Sequence, residues 1–189
     1  LATRTPRRTV NAHGNNVFDL TYSADGALVV SGARNGEIKL WDADGFGELA
    51  ELSNDNDERM AFSLAFSPDG RFVVFHSTRS GPVAQIFRME LASGEVTQLT
   101  TGPGDKRTAS WSPDGSRIAF HLEPDDDLSG DIFVMNVDGS GRRNVTGDAA
   151  IDGHPSWISD DEILFDSTRD DDGESEIANK ELYSMVLAT

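Results

Sequence analysis

Short apolar runs rich in Val, Ile, Phe and Trp alternate along this chain with clusters of Ser, Pro, Asp and Gly, and no stretch keeps the 3.6-residue period of an amphipathic helix. The runs come in sets of four. The first run of each set carries an aromatic or follows a proline: Val17 to Tyr22, Phe62 to Phe66, Ala109 to Trp111 and Pro155 to Ile158. The second covers Ala27 to Val30, Phe72 to Phe75, Ile118 to Phe120 and Ile163 to Phe165. The third spans Glu37 to Trp41, Gln85 to Met89, Asp131 to Met135 and Glu181 to Met185. The fourth follows Asp44-Gly45, Ser93-Gly94 or Asp138-Gly139 and covers residues 47–52, 96–100 and 142–146. β-branched and aromatic residues at strand length predict a strand for every run.

The punctuation repeats as well. Ser23-Ala24-Asp25-Gly26 returns as Ser67-Pro68-Asp69-Gly70, as Ser112-Pro113-Asp114-Gly115, and in worn form as Ser159-Asp160-Asp161-Glu162, with steps of 44, 45 and 47 residues. Proline presets φ, aspartate bonds its own backbone and glycine takes positive φ, so each tetrapeptide predicts a hairpin corner. Four short antiparallel strands per repeat predict an all-β fold, a β-propeller of four-stranded antiparallel blades with four blades in this chain. As a single domain over 1–189, the blades fall at approximately 11–58, 59–106, 107–153 and 154–189.

The resemblance to known families then becomes specific. Residues 9–42, with His13-Gly14, Ser31-Gly32 and Leu40-Trp41-Asp42, resemble a WD repeat. Residues 61–185 resemble TolB-type propeller repeats, carried by Phe66-Ser67-Pro68-Asp69-Gly70-Arg71, Ser77-Thr78-Arg79 and Asp131-Ile132-Phe133-Val134-Met135. The last unit stops after its third strand. Arg7-Arg8-Thr9-Val10 is similar to Arg142-Arg143-Asn144-Val145, so strand 4–10 is expected to complete the fourth blade of its own chain or of a neighbour. Three arrangements stay open: a closed four-bladed monomer, a homodimer completing an eight-bladed ring, and a segment of a longer chain.

Charge narrows the partners. The net charge is −17, and residues 121–189 hold 4 Lys and Arg against 18 Asp and Glu. Nucleic acid is not expected, because phosphate binding needs a basic footprint; a protein or peptide partner, preferably basic, is. No run approaches the roughly 18 apolar residues of a membrane span. The absence of cysteine excludes disulfides and thiolate chemistry. With the TolB-type resemblance and the acidic surface it points to the periplasm or cell exterior; the WD repeat favours the cytoplasm as the alternative.

Four groups of residues are candidates for a special role. The WD-repeat resemblance implies a buried hydrogen-bonded network of His13, Ser31 and Trp41, with Asn35 at the place of the family's aspartate; such a network orders the blade. His76, His121 and Asp166 follow the second strand's terminal phenylalanine in three blades and form a weaker alternative, a transition-metal set. Asp125, Asp127 and Asp131 recur in spacing as Asp170, Asp172 and Glu176 in the loops between second and third strands, carboxylates suited to calcium. An acidic solvated loop explains the same spacing.

There is no Gly-x-Ser-x-Gly elbow, glycine-rich phosphate loop or His-Glu-x-x-His helix. Catalysis and a resident cofactor other than calcium are therefore not expected. The expected function is a non-catalytic scaffold for protein interaction. The alternatives are a metal- or small-ligand-binding propeller, and the non-catalytic propeller part of a larger peptidase-like protein.

Overall fold

The computed structural model describes residues 9–53, 60–125, 129–169 and 180–187. Among them there is no helix, and the strands fall into four antiparallel sheets with sequential strand order. The first blade comprises β1 (Val17–Tyr22), β2 (Leu28–Ala33), β3 (Ile38–Asp42) and β4 (Glu48–Ser53). The second comprises β5 (Ala61–Phe66), β6 (Phe72–Ser77), β7 (Gln85–Glu90) and β8 (Val96–Gln98). The third comprises β9 (Asp105–Trp111), β10 (Arg117–Glu123), β11 (Asp131–Asn136) and β12 (Arg143–Asn144). The fourth has three strands, β13 (Asp152–Ser159), β14 (Glu162–Ser167) and β15 (Glu181–Val186). The expected strand 4–10 falls almost wholly outside the described residues, and Thr9 and Val10 carry no strand.

The corners form as the turn chemistry predicts. Ser112 Oγ donates to Asp114 Oδ1 at 2.6 Å and accepts the Arg117 N–H at 2.9 Å, while Asp114 Oδ1 accepts the Ser116 N–H at 2.9 Å. Gly115 closes the turn at φ 72°. The same bonds recur at Ser23, Asp25 and Leu28, and at Ser67, Asp69 and Phe72. Hydrogen bonds from Ser112 and then Ser116 hold the Asp114 pKa down at about 2. The worn fourth corner keeps only a longer bond, from Asp161 N to Ser159 Oγ at 3.3 Å.

The Ser-Thr-Arg marker has a structural meaning of its own. The Arg79 guanidinium lies 4.8 Å from the Phe75 ring and 5.3 Å from Phe87, and Arg169 lies 5.0 Å from Phe165 and 4.9 Å from Tyr183. Arg169 also bonds both oxygens of Asp152, which is wholly buried. A planar cation on aromatic faces, fixed by a serine hydroxyl or a carboxylate, locks the second and third strands together.

Blades stack through repeated apolar junctions. Val30 and Ile38 of blade one meet Leu64, Val73 and Phe75 of blade two. Val74 and Ile86 meet Ala109, Ile118 and Phe120; Ala119 and Ile132 meet Ile163 and Phe165. The first strands β1, β5, β9 and β13 lie side by side at the inner edge, where they face the axis of the arc. Each is bulged. Ser63, Thr108 and His154 take φ of 52°, 50° and 49° at register shifts in β5, β9 and β13. A bulge bends the strand and re-aims the flanking side chains.

Candidate functional site

The inner strands begin, and the second strands end, at the pole opposite the Ser-x-Asp-Gly corners. There Phe62, Arg107 and Gly153 of the first strands pair with His76, His121 and Asp166 of the second, and in blade one Asp19 pairs with Gly32 while Phe18 lies beside it in the β1 bulge. Phe18 stacks on Phe62 at 4.4 Å between centroids, and Phe62 stacks on His76 at 5.3 Å. The rings form a ladder from blade one into blade two. Beside it opens a cleft of about 490 Å³ lined by Phe62, His76, Thr78, Pro82, Asp105 and Arg107.

Asp105 anchors this cleft. Its Oδ1 accepts the Ala84 N–H at 2.6 Å across the blade boundary, and its Oδ2 pairs with Arg107, which also reaches Glu123 at 3.2 Å. His76 is 9% exposed, and its Nδ1 has no hydrogen-bond partner among the described residues. Burial pushes its pKa down to about 4, with the Arg107 guanidinium adding to the effect. A neutral, unsatisfied ring nitrogen at the wall of a cleft is a place where a ligand's polar group recovers a hydrogen bond. On blade four, Asp166 accepts from Lys180 at 2.9 Å and bonds His154 at 2.7 Å. Burial alone would raise its pKa; those two partners bring it below the ordinary value.

His76, His121 and Asp166 share a register position but not a site. His76 sits in the aromatic ladder, Asp166 is held by Lys180 and His154, and His121 packs on Gly130, where a side chain would come within 2.1 Å of its Nε2. Burial lowers the His121 pKa as well. Among the described residues no three His, Asp or Glu side chains come close enough to hold a metal. Of the calcium set, Asp125 accepts the Gly104 N–H at 3.0 Å. Asp131 accepts from Asn144 Nδ2, Thr146 Oγ1 and Gly147 N at 2.8, 3.1 and 2.9 Å. Both carboxylates tie loops together; Asp127, Asp170, Asp172 and Glu176 lie outside the described residues.

The network in blade one assembles with one change of membership. The Trp41 indole N–H donates to Ser31 Oγ at 2.8 Å, Ser31 bonds His13 Nε2 at 2.6 Å, and His13 Nδ1 bonds Glu37 Oε2 at 2.9 Å. Asn35 is not part of this chain of bonds; its Oδ1 accepts the Glu37 N–H at 3.4 Å. Although serine, histidine and carboxylate stand in a nucleophile-like order, Ser31 is 4% exposed and its oxygen is already bonded by Trp41. These bonds tie His13, Ser31, Glu37 and Trp41 together within blade one. Sequence reasoning missed Glu37, and it missed Lys106, which is 1% exposed and donates its ammonium to the carbonyls of Gly102, Pro103 and Gly104.

Comparison with known proteins gives a consistent picture. The family model for the WD domain, G-beta repeat, matches residues 4–42, and that for the dipeptidyl peptidase IV (DPP IV) N-terminal region matches residues 67–169. The Tol-Pal system protein TolB of Anaeromyxobacter dehalogenans is 36% identical over 135 residues, which is 69% of this chain and 29% of that protein. The chain thus spans about three tenths of that relative's length. TolB from Acinetobacter baumannii superposes with a TM-score of 0.71 at 17% identity, covering 92% of this chain and 41% of that one. The computationally designed Ika4 protein superposes with a TM-score of 0.64 at 15% identity, covering 95% and 96%.

Proposed function

The chain belongs to the WD-repeat and TolB-like β-propeller proteins, matching the dipeptidyl peptidase IV N-terminal region over more than half its length, and from that premise we propose that it is a non-catalytic scaffold that binds a protein or peptide partner. The observation that carries this reading is the ladder Phe18, Phe62 and His76 running into the cleft beside Asp105 and Arg107. Stacked rings offer apolar area at low entropic cost, and an unsatisfied ring nitrogen with paired charges beside it sets orientation. A net charge of −17 draws a basic partner toward the arc. The resemblance to a Tol-Pal system protein supports a protein partner, and together with the acidic, cysteine-free composition it supports a location in the periplasm or outside the cell.

The experiment is a titration of isotope-labelled protein with a synthetic Lys- and Arg-rich peptide bearing one aromatic residue, with an acidic peptide as control. Shifts should centre on Phe62, His76 and Arg107, weaken as salt rises and vanish in Phe62→Ala. Equal binding of the acidic peptide, or no shift around the cleft, overturns the reading.

A second reading, carried by the match to the dipeptidyl peptidase IV N-terminal region, makes the chain the propeller portion of a larger peptidase-like protein. Isolating the polypeptide from its native source and measuring its mass separates the two.

A further inference from the structure

The second and third junctions of the arc carry a tryptophan at the same place, and among the described residues only one of the two rings is covered by a cation. Trp111 of β9 pairs with Ile118 and Trp157 of β13 with Ile163. Each indole N–H donates to the inner strand of the preceding blade, at 3.0 Å to the Ala65 carbonyl and at 3.2 Å to the Ser110 carbonyl. At the third junction Arg117 reaches from blade three across to blade four. Its guanidinium carbon lies 5.2 Å from the centre of the Trp157 ring, and Nη2 donates to the Asp160 carbonyl and, at 3.2 Å, to Asp161 Oδ1. A planar cation on an indole face with its edge on a carboxylate combines stacking with charge pairing.

One blade earlier the position of Arg117 is filled by Phe72. The carbonyls of these two residues accept the N–H of their corner serines, Ser112 and Ser67, at 2.9 and 2.8 Å. Phe72 extends no charge toward blade three, and a cavity of about 170 Å³ remains between Phe72 and Pro68 on one side and Trp111, Asp114 and Val137 on the other. Asp114 is the third residue of the corner after Trp111, as Asp161 is of the corner after Trp157. Asp69 adds a second carboxylate to the rim. Hydrogen bonds from Ser67 and Ser112 hold the pKa values of Asp69 and Asp114 below the ordinary carboxylate value, so both are ionised at neutral pH. Arg88 forms part of the wall and is already committed: it stacks on Phe72 at 4.9 Å and donates to the Val137 carbonyl at 3.0 Å. At the first junction the two places hold Leu28 and Phe66, and Phe66 packs on the apolar core. A volume of 170 Å³ lies below the roughly 300–1,000 Å³ of small-molecule pockets and suits a single side chain.

We propose that the cavity between blades two and three, at the pole of the Ser-x-Asp-Gly corners, takes an arginine side chain of a protein partner, its guanidinium stacked on Trp111 and paired with Asp114. The molecule supplies the template for that occupant in Arg117, Trp157 and Asp161 of the next junction. Lysine fits less well, because a compact ammonium lacks the planar face that stacks on an indole while its edge meets a carboxylate. The site lies at the pole opposite the cleft of Phe62 and His76 and does not depend on that cleft being a binding site.

The probe is the capped tripeptide Gly-Arg-Gly, titrated into isotope-labelled protein, with Gly-Lys-Gly and Gly-citrulline-Gly as controls. The arginine peptide should shift the Trp111 indole N–H and the backbone amides of Gly115 and Val137. The lysine peptide should bind severalfold more weakly, and the uncharged citrulline peptide should leave those signals in place. Asp114→Asn keeps an oxygen for the Ser112 hydroxyl and the Ser116 N–H and should weaken the arginine peptide roughly fivefold. Phe72→Arg places a guanidinium on Trp111 from within and should abolish binding in a protein whose thermal melt stays cooperative. Should that variant fail to fold, Asp114→Asn, altered at an exposed side chain, decides alone. Phe62→Ala, at the opposite pole, should leave the Trp111 shifts unchanged. Equal shifts with the citrulline peptide, no shift at Trp111, or full affinity in Asp114→Asn or in folded Phe72→Arg would overturn the proposal. Shifts confined to Phe62 and His76 would overturn it as well, while leaving the proposed role of that cleft standing.

Discussion

Glu37 Oε2 lies 2.9 Å from His13 Nδ1, so the buried network of the first blade ends on a glutamate at the head of the third strand and not on the loop residue two positions earlier. Lys39 reaches the other Glu37 oxygen at 3.2 Å, and hydrogen bonds from His13 and Lys39 hold the Glu37 pKa below the ordinary carboxylate value against the opposing effect of burial. Blade one thus fixes its strands with a polar chain at the place where the other blades use Phe75, Phe120 and Phe165.

Removing that carboxylate strands the histidine N–H. Glu37→Ala should lower the unfolding free energy by about 1–3 kcal/mol, whereas Asn35→Ala should change it by less than about 1 kcal/mol. Urea denaturation followed by tryptophan fluorescence compares them directly; an equal loss in both would return the asparagine to the network.

Acid should destabilise the protein through His76. Its pKa falls from the unfolded value of 6.5 to about 4 in the fold, so as pH drops the unfolded chain takes the proton first. Stability from this residue is constant above pH 6.5 and declines between 6.5 and 4, by roughly 3 kcal/mol in all. Chemical denaturation at stepped pH measures the slope, and His76→Phe should flatten it; an unaltered slope in that variant would assign the acid sensitivity elsewhere.

Lys106 closes the loop at residues 102–104 from inside. Its Nζ lies 2.7 Å from the carbonyls of both Gly102 and Gly104 and bonds that of Pro103. Lys106→Met keeps the stem but abandons those acceptors, and about 2–4 kcal/mol of stability should go with it. Lysine on a surface costs little to replace, so a thermal melt with no shift would show that the ammonium is not held this way.

The corner serines should matter unequally. Ser112→Ala breaks bonds of 2.6 and 2.9 Å at a site with 0% exposure and should cost about 1–2 kcal/mol. Ser159→Ala loses one bond of 3.3 Å and should cost less than about 0.5 kcal/mol. Paired thermal melts decide it, and equal losses would contradict the difference in geometry.

The repeat was legible because its markers act locally: proline, aspartate and glycine decide a corner without help from distant residues, and alternating apolar runs decide strands. What depends on a neighbour was not legible. Asp105, Lys106 and Arg107 look like solvated loop, yet they open β9, because Ala84 and the carbonyls at 102–104 satisfy their charges. Glu37 escaped notice because the carboxylate was sought at the loop position that Asn35 fills; a glutamate starting a third strand, one step from Ile38, was the available sign. Ser77-Thr78-Arg79 was recognised as a marker, but its arginine stacking needs two rings from different strands. The convergence expected of His76, His121 and Asp166 treated equal register as proximity, and equal register on successive blades only places residues around an axis.

The corner bonds also bear on how the molecule is made. The serine and aspartate side chains of a Ser-x-Asp-Gly corner bond partners no more than five residues away, whereas each apolar junction requires the next blade. A chain leaving the ribosome can set a corner as soon as it emerges but must wait some 45 residues for the surface that covers each sheet. Synthesis would then proceed as a succession of provisional blades, each shielded by the one that follows.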